Sequence, residues 1–263
     1  MTKGNKREKQ KMTSQETLYT YTLRLADNAL VLGQRLSEWT GHGPFLEEDL
    51  ALTNIALDTF GTATSLLEYA AKVENKNRDA DALAYRRNER EFCNILLVEQ
   101  TNGDYAKTIL RQSFIDAFNI LLYTELAKSK DETLAGIAQK AIKEVSYHFR
   151  HTSSWVVRFG DGTEESHNKI QDALNELWRF TGELFEMDEV EEALVKQGIA
   201  VDAKSFQAKW ETQLDELFAK ATLKKPETSF MQTGGRKGLH TEHLGYMLSE
   251  MQTLPRMLPD AKW

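Results

Sequence analysis

The chain has 263 residues and a formal net charge of −7; 41% of them are hydrophobic and 28% charged, enough apolar matter for a sizeable core. The acidic balance argues against a general nucleic-acid binder. A single cysteine, Cys93, excludes an internal disulfide or a cysteine-based metal cluster and suits a reducing cytoplasm, and no run of about 18 apolar residues exists to span a membrane.

Only 4 Pro and 15 Gly interrupt a sequence rich in Ala, Leu, Glu and Lys, so helices are favoured over strands. Residues 1–14 read as a disordered basic tail, with Lys3, Lys6, Arg7, Lys9 and Lys11 and no apolar stretch behind them to make a signal peptide. Residues 15–263 read as one helical domain. A first helix is expected over 15–39. One of its stripes carries Tyr21, Leu25, Ala29, Leu32, Leu36 and Trp39; Leu23, Leu30 and Val31 lie on the opposite side, beside Asp27 and Gln34. A helix apolar on both sides is central in its bundle or covered by a partner. Gly41-His42-Gly43-Pro44 ends it.

A second helix is expected over 45–73, with Leu46, Leu50, Thr53, Leu57, Phe60 and Thr64 as its apolar face and Asn54 and Asp58 at the border. A third is expected over 79–99, charged at its start and apolar through Ile95-Leu96-Leu97-Val98. The turn Thr101-Asn102-Gly103-Asp104 offers Asp104 as N-cap for a fourth helix over 105–129, where Asp116 interrupts a mainly apolar line.

Asp131 caps a fifth helix that stops near Gly160-Asp161-Gly162. Its spacing sets Leu134, Ile137, Ala141, Glu144, His148, His151 and Trp155 in one line. That line should be buried, yet its middle is a carboxylate and two imidazoles. Such groups are costly to bury unless they are hydrogen-bonded, ion-paired or bound to metal. Beyond it, helices are expected over 163–185, 188–196, 202–223 and 241–257, with a flexible basic loop at Thr233–Gly238. The fold class is all-α, a ferritin-like four-helix bundle core with additional C-terminal helices.

Inward carboxylates on long helices suggest a carboxylate-bridged di-metal bundle, in which two helices each give one Glu and two others each give Glu-x-x-His. The spacing of three puts carboxylate and imidazole one turn apart on one face. Asp27, Asp58, Asp116, Glu144 and His148 form a partial set. Three residues after Asp58 stands Gly61, and three after Glu144 stands Tyr147, so both Glu-x-x-His motifs are missing. The belt then reads as a polar core: Glu144 bonds His148 one turn on, His151 extends that pair toward Trp155 or a partner surface, and Asp58 and Asp116 pair with nearby cations or share a proton.

Elsewhere the signals are thin. His240-Thr241-Glu242-His243 lacks a third zinc ligand and reads as a helix start capped by Thr241. The loop carrying Arg236 and Lys237 matches no complete phosphate-loop motif. Cys93, in an apolar stretch, reads as an inert buried thiol. No Gly-x-Ser-x-Gly supports a serine hydrolase.

Five segments carry a resemblance: Tyr21–Pro44, Glu48–Asp58 (EDLALTNIALD), Leu97–Asp104 (LVEQTNGD), Ala141–His148 (AIKEVSYH) and Thr233–Gly245 (TGGRKGLHTEHLG). Together, from about residue 18 to Trp263, they resemble the family of C subunits of the bacterial ring-1,2-phenylacetyl-CoA epoxidases. That resemblance implies a ferritin-like, non-catalytic paralogue of the A subunit, with no cofactor of its own. The di-iron centre would lie in the A subunit, to which this chain would bind as scaffold, while a reductase subunit delivers electrons from NADPH for aerobic phenylacetate degradation. Two other readings stand beside it: an independent di-metal oxidase using the residual ligands, and an acyl-CoA-binding module using Arg236 and Lys237.

Overall fold

The structure, a computed structural model, describes residues 12–259 and 261. Most of the expected basic tail, residues 1–11, lies outside the described residues. Ten α-helices and no strand occur among the described residues, as expected of an all-α chain. Four long helices make the ferritin-like core: α1 (Ser14–Ser37), α2 (Leu46–Glu74), α5 (Tyr105–Leu126) and α6 (Glu132–Gly160). α1 packs on α2, α5 packs on α6, and α2 meets α6 across the bundle.

Local chemistry sets the starts of these helices. Thr13 and Glu16 form a reciprocal capping box at α1, while Asp104 and Asp131 accept from the third backbone N–H of α5 and α6. α1 is buried almost all round, from Tyr21 to Leu36, the outcome foreseen for a helix apolar on both sides.

Smaller helices enclose the core: α3 (Ala80–Tyr85), α4 (Leu96–Glu99), α7 (Glu164–Leu177), α8 (Glu189–Gln197), α9 (Gln207–Lys220) and α10 (Glu242–Met257). α7 and α9 close one side through aromatic rings. Trp210 stacks on Trp178 at 6.0 Å, both meet Phe114 of α5 edge-on, and the Trp210 indole N–H donates to the Phe114 carbonyl at 3.1 Å.

Four sequence expectations are corrected. The single helix over 79–99 is broken into α3, a 3₁₀ turn (Glu89–Glu91) and α4, because side chains from other elements capture its backbone donors. Asp27 accepts from the Cys93 N–H, Asn28 from Ile95 and Glu183 from Leu96. The helix over 163–185 ends at Leu177 and continues as two 3₁₀ turns.

On α2 the buried side is Leu52, Ile55, Ala56, Ala63, Leu66, Leu67 and Ala70, not the stripe of larger side chains beginning at Leu46. Leu46, Leu50 and Leu57 face outward. Lastly, the Gly234–Gly238 loop is packed rather than free. A Cβ on Gly235 would stand 2.1 Å from the Asn94 carbonyl oxygen, and Gly238 adopts φ 72° with the Arg90 carbonyl 2.3 Å from a Cβ position.

Candidate functional site

On α6 the inward line is Leu134, Ala138, Ala141, Val145, His148, Thr152 and Val156; it keeps Leu134, Ala141 and His148 of the predicted stripe and moves the other four positions on by one residue. Glu144 and His151 therefore fall on its flank beside α2, and only His148 of the three points fully inward. The expected Glu144–His148 pair does not form. His148 instead reaches across to α2, where its Nε2–H donates to Asp58 Oδ2 at 3.1 Å. Among the described residues Glu144 has only Lys140, at 3.9 Å. The reason is direction: an imidazole aimed at the bundle interior meets the opposite helix, not its own preceding turn.

Asp58, Asp116, Glu144 and His148 line one cavity of about 40 Å³ between α1, α2, α5 and α6, together with Asn28, Thr62 and Gln112. This volume holds a few waters and is far below the roughly 300–1,000 Å³ of ligand pockets. The fifth member of the predicted belt, Asp27, is elsewhere. Fully buried, it takes both terminal nitrogens of the Arg87 guanidinium and the Cys93 N–H. Arg87 in turn covers the Phe92 ring at 4.1 Å.

Asp116 has neither the cation nor the shared proton expected of it. Its oxygens accept from the Gln112 amide at 2.7 Å and the Thr152 hydroxyl at 3.1 Å. Burial holds its carboxyl well above the usual range, against those two hydrogen bonds. Burial, then the nearby Asp58 charge, raises Glu144, with Lys140 opposing; burial lowers His148 although Asp58 opposes. The belt thus has a neutral-leaning acid on α5, a neutral-leaning imidazole on α6, and carboxylates at its mouth.

The positions where a di-metal bundle has its histidines are here unsuited to ligation. A Cβ on Gly61 would meet only Lys140 Nζ, at 3.9 Å, and Tyr147 is half exposed with the Arg150 guanidinium 5.2 Å above its ring. No group of three or more His, Cys, Asp or Glu residues is placed to hold a metal ion among the described residues. With Asp27 locked to Arg87 as well, the donors do not fit a carboxylate-bridged binuclear site. His151 stands with Nε2 3.1 Å from Glu48 Oε2, off the line of a hydrogen bond, and Glu48 also accepts from Tyr105, whose ring meets Trp155 edge-on.

A second polar cluster escaped the sequence reading. Glu99 of α4 is fully buried and accepts from Asn94, from the backbone N–H and hydroxyl of Thr241, and from His240 Nδ1–H at 2.8 Å. The other ring nitrogen, His240 Nε2–H, donates to the Phe92 carbonyl at 2.9 Å. A ring facing two acceptors is an imidazolium. Burial opposes that charge, but Glu99 and then the Phe92 carbonyl outweigh it and hold the His240 pKa above its ordinary value.

Nearby, Glu183 accepts from the N–H groups of Leu96, Gly234 and Arg236. Arg236 donates to Glu191 at 2.7 Å, and Glu191 also holds Arg24. Arg236 is therefore committed inside the protein, which removes half of the expected diphosphate grip. The sequence singles out His240, Thr241 and Arg236 separately and ends the apolar run 95–98 on Glu99, but no local pattern links them. Cys93 is half-buried rather than buried and lies outside any helix, with its thiol pushed up to about 11 by burial, then by Asp27. Among the described residues, no helix is long and apolar enough to cross a membrane.

Comparison with known proteins places this architecture. The model of a family described as phenylacetic acid catabolic protein matches residues 1–263. A relative from Escherichia coli (strain K12), the C subunit of 1,2-phenylacetyl-CoA epoxidase, is 54% identical over 246 residues, covering 94% of this chain and 99% of the relative. The chain belongs to the phenylacetic acid catabolic protein family.

Proposed function

We propose that the chain is a non-catalytic, structural subunit of a multicomponent 1,2-phenylacetyl-CoA epoxidase acting in phenylacetate degradation in the cytoplasm. It binds and stabilises the catalytic A subunit, where the di-iron centre resides, and a reductase belongs to the same complex. The observation that carries this reading is the state of the inter-helix belt. Gly61 and Tyr147 stand where imidazole ligands are needed, and Asp27, Asp116 and Asp58 are each engaged within the chain by Arg87, by Gln112 with Thr152, and by His148. A bundle whose former ligand positions are tied up this way keeps its fold without needing an ion. The name and extent of the Escherichia coli relative support the assignment to the epoxidase.

Reconstitution tests it. The catalytic and reductase components are assayed for phenylacetyl-CoA epoxidation with and without this chain. The expected result is a stable complex with this chain, and activity or stability of the catalytic subunit that depends on it. Separate elution with unaffected epoxidation rejects the proposal. Elemental analysis of the isolated chain decides against the independent di-metal oxidase unless near-stoichiometric iron or manganese is found and is lost in Glu144→Ala.

A further inference from the structure

Resting on that reading, we infer that the outer side of α2, with the adjoining rim of α6, is the surface that receives the catalytic partner. The matching partner surface is a helix with apolar side chains flanked by carboxylates. Phe45, Leu46, Leu50 and Leu57 are 54–73% exposed. The last three recur at four- and seven-residue steps, which keeps them in one line on the helix. Their opposite side already packs the core through Leu52, Ile55 and Leu66, so α2 carries a second apolar face that its own fold leaves uncovered.

Three inter-helix approaches set the level of α6 beside it: Asp58 to His148, Glu48 to His151, and Gly61 to Lys140. They run antiparallel and bring Tyr147, 51% exposed, to the height of Leu57. The exposed residues of α6 around Tyr147 include Lys140, Lys143, Arg150 and Arg158, without an exposed acid from Lys140 to Arg158. Arg150 and Arg158 lie over the rings of Tyr147 and Trp155, and Lys140 has only the 3.9 Å approach to Glu144.

Two magnitudes favour a macromolecular partner. The five apolar side chains expose on the order of 600 Å², at the upper limit for the largest patch on a typical monomer and approaching the ~800 Å² that one side of a stable interface buries. The cationic rim, on a chain of net charge −7, selects an acidic-edged partner over a second copy, which would set like charges near each other wherever the two rims met. Gly61 adds room: with no side chain there, a partner residue can approach the α2 backbone.

The test uses the full chain and the catalytic subunit, with affinity followed by interferometry and the complex by size exclusion. Leu50→Asp/Leu57→Asp should weaken association by about 100-fold while circular dichroism and Tm of the isolated chain stay those of wild type, since both side chains are exposed. Lys143→Glu/Arg150→Glu should slow association and reverse its salt dependence. Wild-type binding that neither variant alters overturns this surface but leaves the partner reading standing. Failure of the wild-type chain to bind overturns both. A wild-type homodimer that Leu50→Asp/Leu57→Asp dissolves, with the heterocomplex intact, assigns the face to self-association and overturns the inference.

Discussion

Two of the buried polar regions among the described residues are built on opposite principles. Around Glu99, Glu183 and Glu191 every carboxylate meets defined donors: an imidazolium, two guanidiniums and a set of backbone N–H groups. Around Asp116 and His148 the charge is removed rather than matched, with burial raising the acid and lowering the base. The first region joins distant segments into one fold. The second is a space between four helices whose polar residues tolerate one another. Both are buried and both are rich in Asp, Glu and His, so composition alone does not separate structural ionic locks from a belt of charge-depleted polar groups.

The largest expected effect is on the lock. Glu99→Ala strands the His240 cation together with the Thr241 and Asn94 donors, and should cost about 3–5 kcal/mol in urea unfolding. A loss below about 1 kcal/mol would erase the distinction between the regions.

In the belt the sign should invert. Asp116 has a folded pKa above its unfolded value, so its favourable contribution is complete at low pH and is lost as pH rises through the folded pKa. Asp116→Asn should therefore stabilise the protein near pH 7 by at least about 1 kcal/mol, one pKa unit being worth about 1.4 kcal/mol. The gain should grow as pH rises above the unfolded value of about 4, as followed by thermal melts. A destabilised Asp116→Asn would make Asp116 a member of a lock.

His240 tests the lock by titration. Its raised pKa makes the stabilisation full below the unfolded value of about 6.5 and lost as pH climbs through the folded value. The Tm gap between wild type and His240→Gln should accordingly narrow on the alkaline side, and a gap independent of pH would remove the imidazolium from the account. The smallest effect is expected at Asp58, a partly exposed carboxylate: Asp58→Asn should change stability by less than about 1 kcal/mol. NMR should show the His148 pKa falling further, since Asp58 holds it up against burial.

Much of the fold was legible because long amphipathic helices announce themselves. The caps Asp104 and Asp131 and the ends of α1, α2 and α6 all fall within a few residues of their expected places. Where the reading failed, the deciding partner lay far away in sequence. The break between α3 and α4 depends on Asp27, Asn28 and Glu183, and no local pattern near residue 93 records them. On α2, two apolar lines of similar strength share one helix, and the larger side chains marked the outer one. The belt was half legible. Gly61 and Tyr147 mark the two absent Glu-x-x-His motifs, but the inward aim of His148 pairs it with Asp58 on the facing helix instead of Glu144 on its own.

The link between Glu99 and His240 has a consequence for synthesis. The two residues are separated by 141 positions in the chain. At roughly 5–20 residues per second, the ribosome needs about 7–30 s to make the second after the first. Throughout that interval the carboxylate of Glu99 lacks its cation, and for the earlier part of it the Leu96 N–H lacks Glu183. The four-helix core can collapse early, whereas the segment between α3 and α5 closes only when the last sixth of the polypeptide arrives. A chain released prematurely before His240 would therefore keep its bundle but present an unfinished, protease-sensitive seam along residues 88–100.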